Sequence, residues 1–458
     1  MRYPVTLTIP IELAPGPAPL YEQIASQVGT AIEEGRLATG AVLPSTRSLG
    51  VLLGVSRGVV ATAYDLLAAR GYLQGRAGSG SFVAGPAAAP RRATAPASPP
   101  AGLVDLRPGG PGPDLFPVRD WRAAWRRASF APPPAHPPPA LGLPELRRAI
   151  AGQLRVTRGM ALAGSEVVVT AGTAAGLRLV LDALGLAGSE VAIEEPGPRA
   201  LRQAVPAGSG EPVALPVDAD GARIGSVPPD CRALVLSPDA HEPLGCVLSA
   251  DRRRQVAGWA AATGGRLVEV ACDAVFRPQA CRLPALSGLA GAAAVTVGGF
   301  GALASGLGLG YVVVPAGLTG RLRRLIADRA GQPAHLLQRA VAELLARGTV
   351  TRLMHRLGQA HRAKRRLVEA ALRPVGRLAG LGAVGTVVLY LPGGQEGGYA
   401  ARALRDRGVR VRALADYHVP GELPAPARSG LVVGYGHLPD PALRAGLAAL
   451  ARELPGLA

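Results

Sequence analysis

The chain has 458 residues and a formal net charge of +18. That length can bury large cores and implies two or three domains, and the positive balance points to a polyanionic partner such as nucleic acid. Cys231, Cys246, Cys272 and Cys281 form no CxxC pair, and His355 and His361 miss the i,i+4 spacing of a shared helical ligand pair. Neither a disulfide scaffold nor a metal site is therefore expected, and a reducing cytoplasm is the natural compartment. No signal peptide is read, because Met1 to Glu12 lacks a long apolar core.

The stretch from Leu20 to Phe82 organises the rest. Leu20, Ile24, Val28 and Ile32 recur every four positions, which predicts a helix with one buried face that Gly35 ends. Pro44-Ser45 starts a short second helix with Ser45 as its cap, and Gly54-Val55-Ser56 breaks the chain. Ser56 caps a third helix whose apolar face is Val60, Ala63 or Tyr64, and Leu67, and Gly71 supplies a left-handed end. Tyr72-Leu73 and Ser81-Phe82-Val83 read as strands around a turn from Gly75 to Gly80.

Three helices and a hairpin make a winged helix-turn-helix, whose third helix is slim enough for a DNA major groove. Arg57, with Gly58 beside it, lies where a side chain reaches base edges or phosphate. Ser45 and Arg47 open the second helix, whose free N–H groups suit a phosphate. Arg76, Gly78, Ser79 and Gly80 form the wing tip. Residues 1–84 hold six Arg against five acids, a net of +1, so the DNA face is polarised rather than strongly basic. The excess elsewhere is mostly helical Arg and reads as a solvated face.

On LPSTRSLGVLLGVSRGVV and GYLQGRAGSGSFV, this segment resembles the DNA-binding domain of the GntR family of bacterial transcription regulators. The resemblance implies DNA contacts from Arg47, Ser56, Arg57 and Gly78. Gly58, Val59 and Ala61 stand where relatives often carry polar or basic residues, so no base preference is carried over.

Residues 85–103 are rich in Pro and Ala, without apolar period, and read as a semi-extended linker. A Pro/Gly-rich arm from Val104 leads into an amphipathic helix at Trp121, and Leu143 to Arg158 is a second one. Strands at 167–169, 191–193, 233–236 and 267–270 then alternate with helices at 174–184 and 252–263, implying a mainly parallel α/β sheet. Leu283 to Gly320 contains no charge, long enough to raise a membrane span. Its prolines, its glycines and the β-branched runs at 294–297 and 311–314 instead predict two buried strands of a parallel sheet. A long helical region from Thr319 to Leu372 precedes a smaller α+β domain containing Val387 to Tyr390, Gly430 to Tyr435 and a last helix from Pro441 to Glu453. The expected division is 1–84, 85–103, 104–354 and 355–458.

VVVTAGTAAGLRLVLDAL, VAIEEPGP and GGFGALASGLGLGYVVVP, with the arm and the helix after it, resemble a fold-type I aminotransferase domain. A GntR reader, a linker and that fold constitute the MocR subfamily. The resemblance implies pyridoxal phosphate as family cofactor and a head-to-tail homodimer with each reader near the partner's large domain. A pyridoxal aldehyde needs a Lys amine, and its ring nitrogen a carboxylate. Where the family carries them, this chain has Ala302 for the Lys, Gly308 for the phosphate Arg, and Val270 and Cys272 for the carboxylate and Tyr. Pro198 replaces an aromatic residue, while Gly172 and Thr173 keep a turn that could hold a phosphate. The one lysine in the chain is Lys364, 53 residues past Tyr311.

Covalent cofactor and catalytic residues are accordingly not expected. Asp239, His241 and Glu242 are read as a polar loop rather than an acid/base cluster, and Asp273 with Arg277 as a cap or ion pair. The reading is a sequence-specific regulator with an aminotransferase-like dimerisation and effector domain. The alternative is a pyridoxal phosphate enzyme, or a regulator sensing that cofactor.

Overall fold

The computed structural model describes the chain except for residues 1–8, 17, 77–79, 85–102, 113, 131, 133, 209, 272–282, 302, 330, 381, 383, 420–424 and 458. Two compact units emerge, Met1–Pro100 and Ala101–Ala458.

In the first unit, α1 (Leu20–Glu33), α2 (Thr46–Leu53) and α3 (Arg57–Ala69) are followed by a hairpin of β1 (Leu73–Arg76) and β2 (Gly80–Val83). The serine caps form as their positions require: Ser45 Oγ accepts from Ser48 N at 3.1 Å, and Ser56 Oγ from Val59 N at 3.4 Å. Gly54 takes φ 65° between α2 and α3, a left-handed turn that only glycine adopts freely. Ile24, Val28, Ile32, Leu49, Val60, Leu67, Leu73 and Val83 fill one core. Leu20 differs from the expected face. It is 40% exposed because, as the first residue of α1, it lies a turn beyond that core. The wing is also tighter than expected. Gly75 and Arg76 pair with Ser81 and Gly80, since buried Leu73 opposite buried Val83 sets a register that carries both strands further.

The second unit opens on β3 (Val104–Asp105), α4 (Val118–Ser129) and α5 (Pro144–Arg158). A run of alternating elements follows: β4 (Ser165–Thr170), α6 (Thr173–Leu184), β5 (Glu190–Glu195), α7 (Arg199–Ala207), β6 (Glu211–Asp218), β7 (Gly221–Ala222), β8 (Ala233–Leu236), α8 (Ala250–Thr263), β9 (Arg266–Val270), α9 (Leu286–Ala290), β10 (Ala294–Gly299) and β11 (Gly310–Pro315). These strands form one sheet in the order β4-β11-β10-β9-β8-β5-β6-β7. It is parallel from β10 to β6, as the alternation predicts. The run 283–320 supplies its two apolar strands, but β11 is antiparallel to both neighbours, which corrects the parallel expectation. A direct return from Gly299 to Gly310 has no crossover helix, and without one only an antiparallel pairing closes. Sequence reading missed β6, whose Pro212 and Pro216 argue against a strand. Near the edge, with only the two-residue β7 outside it, they are tolerated.

The long helical region is three helices, α10 (Thr319–Arg329), α11 (His335–Ala346) and α12 (Thr349–Leu372). Pro333 and Gly348 stand at the breaks, Gly348 at φ 67°. One face of α12 serves two cores. Leu353, Met354 and Leu357 pack with α4, α5 and α11, while Val368 and Leu372 pack with the small domain.

The small domain adds β12 (Arg377–Ala379), β13 (Thr386–Tyr390), α13 (Gly397–Asp406), β14 (Val409–Arg410), β15 (Arg412–Ala413), α14 (Ala425–Arg428), β16 (Gly430–Gly434) and α15 (Asp440–Glu453). Its antiparallel sheet runs β12-β13-β16-β15. The arm joins it through β3, which pairs with β14 at Val104↔Val409. Among the described residues no single helix is long and apolar enough to cross a membrane.

Candidate functional site

The candidate DNA-facing surface is built by the two caps. Because Ser45 and Ser56 each satisfy an N-terminal N–H, the first turns of α2 and α3 form where the chain needs them, and Arg47 and Arg57 project from those turns into solvent. Ser45, Ser56, Gly58 and Gly80 are exposed with them. Two acids of this unit are engaged elsewhere: Glu33 accepts from the Tyr72 hydroxyl, and Glu34 pairs with Arg36 at 2.6 Å. Neither Arg47 nor Arg57 has an ion-pair partner among the described residues, so both guanidiniums are free for a phosphate or a base edge. The opposite side of α3 from Val60, Tyr64 and Leu67 presents Gly58, Thr62 and Asp65. Thr62 was missed in the sequence reading. Its position four residues after Gly58, on the polar side of the period, is the signal, and its hydroxyl donates to the Gly58 carbonyl at 3.0 Å. Gly78 and Ser79 lie outside the described residues, and Arg76 enters as a strand residue paired with Gly80.

In the second unit the ends of β10 and β11 close on the start of α6. A Cβ at Gly299 would stand 2.4 Å from Thr173 Oγ1, and one at Gly310 would stand 2.6 Å from the Gly172 carbonyl carbon. Gly172 takes φ 102° and Gly308 φ 57°, left-handed backbone that favours glycine at both positions. Pro198 heads α7, and Val270 is buried at the end of β9. Cys272, Asp273, Arg277 and Ala302 lie outside the described residues. Lys364 is on α12, 3% exposed, with no hydrogen-bond partner for Nζ among the described residues, and close enough to His361 to help depress its basicity.

Asp239 has a different surrounding from its loop neighbours. Its carboxylate is gripped by Arg158 at 2.5 Å and by Arg253 at 2.8 Å, and Arg158 also pairs with Glu269. Arg253 further donates to the carbonyls of Leu248, Pro238 and Pro284. All four side chains are buried, which makes this a structural ion network and removes Asp239 from any acid/base role. No sequence spacing signals it, because its members come from four elements.

A cleft of about 330 Å³ lies beside it, lined by His241, Glu242, Ser305, His361, Thr386 and the glycines of the arm. Burial pushes the His241 ring down to about 4. Burial and then Lys364 push His361 to about 4 as well. Both imidazoles are thus neutral at pH 7. Burial raises the Glu242 carboxyl, which accepts from the Tyr417 hydroxyl at 3.3 Å.

Glu194, inside β5, is fully buried and accepts from Ser237 N at 2.6 Å. Burial lifts its carboxyl from 4.5 to about 7. The folded state therefore holds this proton more tightly than the unfolded chain. The resulting stability is present below pH 4.5 and is lost as pH rises through 7, about 3 kcal/mol in all. Glu194→Gln keeps the acceptor without the titration. The variant is expected to match the parent near pH 4.5 and to exceed it by about 3 kcal/mol at pH 8 in urea denaturation. A gap independent of pH would contradict this.

Residues 20–83 match the family described as bacterial regulatory proteins, gntR family, and residues 111–425 match aminotransferase class I and II. The chain belongs to the GntR-type transcription regulators of the MocR kind, in which a DNA-binding winged helix is fused to an aminotransferase-like body. It is 34% identical over 455 residues to the HTH-type pyridoxine biosynthesis transcriptional regulator PdxR of Corynebacterium glutamicum, covering 95% of this chain and 96% of that protein. It is 31% identical to the HTH-type transcriptional regulator TauR of Rhodobacter capsulatus, covering 98% and 100%. Among solved structures, an archaeal alanine:glyoxylate aminotransferase superposes with a TM-score of 0.69 at 20% identity, covering 77% of this chain and 91% of that one, which establishes the fold of the body.

Proposed function

We propose that this regulator reads an operator through Arg57, Arg47, Ser45, Ser56 and the wing, and that its body is a dimerisation and effector scaffold that neither transaminates nor holds pyridoxal phosphate covalently. One observation carries the second half. The sole amine side chain, Lys364, is buried in α12, while the loop between β10 and β11 offers glycine where a phosphate-binding Arg would stand. With buried Val270 at the end of β9, the residues present do not fit a Schiff-base cofactor. The cleft beside His241 and His361 remains as space for an effector. The dimer reads two half-sites about one helical turn, or a multiple of it, apart, in the cytoplasm.

A mobility-shift assay on the chain's own upstream intergenic DNA, with an absorption scan in added pyridoxal phosphate and borohydride trapping, tests both halves. Operator binding without an aldimine band supports the reading. A trapped adduct, or transaminase activity, overturns it. Arg57→Ala is expected to weaken operator binding by about 1–3 kcal/mol and to relax specificity if Arg57 reads a base. Unchanged affinity at matched salt would show that α3 is not the reading helix.

A further inference from the structure

The positive charge of this protein is in the wrong place for its reader. Residues 1–84 carry a net of +1 and 85–100 add two arginines, which leaves +15 on residues 101–458. Much of it is organised on two helices. From Thr349 to Val368, α12 contains no acid at all, and Arg356, Arg362 and Arg366 fall on one exposed side of it. On α4 the exposed residues Arg119, Arg122 and Arg126 repeat at i,i+3 and i+7, with Asp120 the only acid in the helix. The helices meet where Thr349 Oγ1 donates to Asp120 at 3.2 Å and Arg352 approaches Asp120 at 3.8 Å.

These six arginines have no ion-pair partner among the described residues, unlike Arg127, which pairs with Glu343 at 2.7 Å. An ordinary solvated face mixes signs, because like charges at i,i+4 are destabilising. Arg122 with Arg126, and Arg362 with Arg366, are such pairs, and a polyanion relieves their repulsion. From Arg356 to Arg366 the row runs about 15 Å, so it can lie beside roughly four phosphates of one DNA strand. Guanidinium is the side chain that grips phosphate through two donors at once.

We propose that the arginine rows of α4 and α12 form a second, sequence-independent duplex-binding surface that grips DNA flanking the operator. This rests on the reading of the chain as an operator-binding regulator, and the parent protein on a minimal operator fragment tests that reading separately.

The test compares the full-length parent with Arg356→Gln/Arg362→Gln/Arg366→Gln on the minimal operator and on the same operator with about 40 flanking base pairs. Each lost phosphate contact removes about 0.9 from the slope of log affinity against log salt. The triple variant is expected to lose about 2–3 from that slope on the long fragment and nothing on the short one. The matching Lys triple variant should restore the slope. Equal slopes for parent and variant on the long fragment would sink the proposal. So would the same loss on both fragments, a changed dimer in sedimentation, or loss of binding to phosphatidylserine vesicles with the DNA slope intact. Parent protein that ignores even the minimal operator would refute the regulator reading instead.

Discussion

Asp239→Ala is expected to destabilise the second unit by about 3–5 kcal/mol, the range for removing one partner from a buried ion network. Two guanidiniums converge on this carboxylate, with side chains 4% and 1% exposed, so neither can turn to water when it is lost. Arg158 retains Glu269, but Arg253 is left with three backbone carbonyls and no countercharge. Asp239→Asn keeps an acceptor without the charge and should fall between alanine and the parent. Urea denaturation followed by a signal from the second unit measures this. A loss below about 1 kcal/mol would mean that water reaches the arginines. The network also cross-ties α5, β9 and the loop after β8 through charge.

Leu67→Ala is expected to separate the two units in a calorimeter. Leu67 is fully buried against α1 and α2, and truncating such a leucine costs about 2–5 kcal/mol. A domain of this size has little stability in reserve, so the loss approaches its whole margin. The transition of the first unit should drop well below that of the parent, while the transition of Ala101–Ala458 stays put. Operator binding should vanish in the temperature range where only the first unit has melted. A single transition shifted as a whole would show that the units unfold together.

The exposed side chains proposed to read DNA contribute nothing to that core. Arg57 stands exposed on the first turn of α3, in line with Val60, Tyr64 and Leu67 along the helix but a turn beyond the core in which those three hold it. Substitutions at Arg57 and at Leu67 should therefore be distinguishable: the first lowers affinity in a folded domain, the second removes the domain.

Local chemistry decided the first unit. Two serine caps, the left-handed Gly54 and a four-residue apolar period act within a few residues of chain, so α1 to α3 could be read directly, and with them the family resemblance. The same holds for the strands of the second unit, whose apolar runs are buried in a sheet as continuous runs require. The direction of β11, the strand β6 and the shared use of α12 depended on what packs alongside, which no single stretch encodes. The fate of Asp239 was likewise a tertiary matter, because its partners come from positions 158 and 253 and their own partner from 269. The composition alone establishes that there is one lysine and an excess of arginine. Only folding determines that the lysine is buried and that the arginines line up in rows, because solvent exposure is set by neighbours distant in sequence.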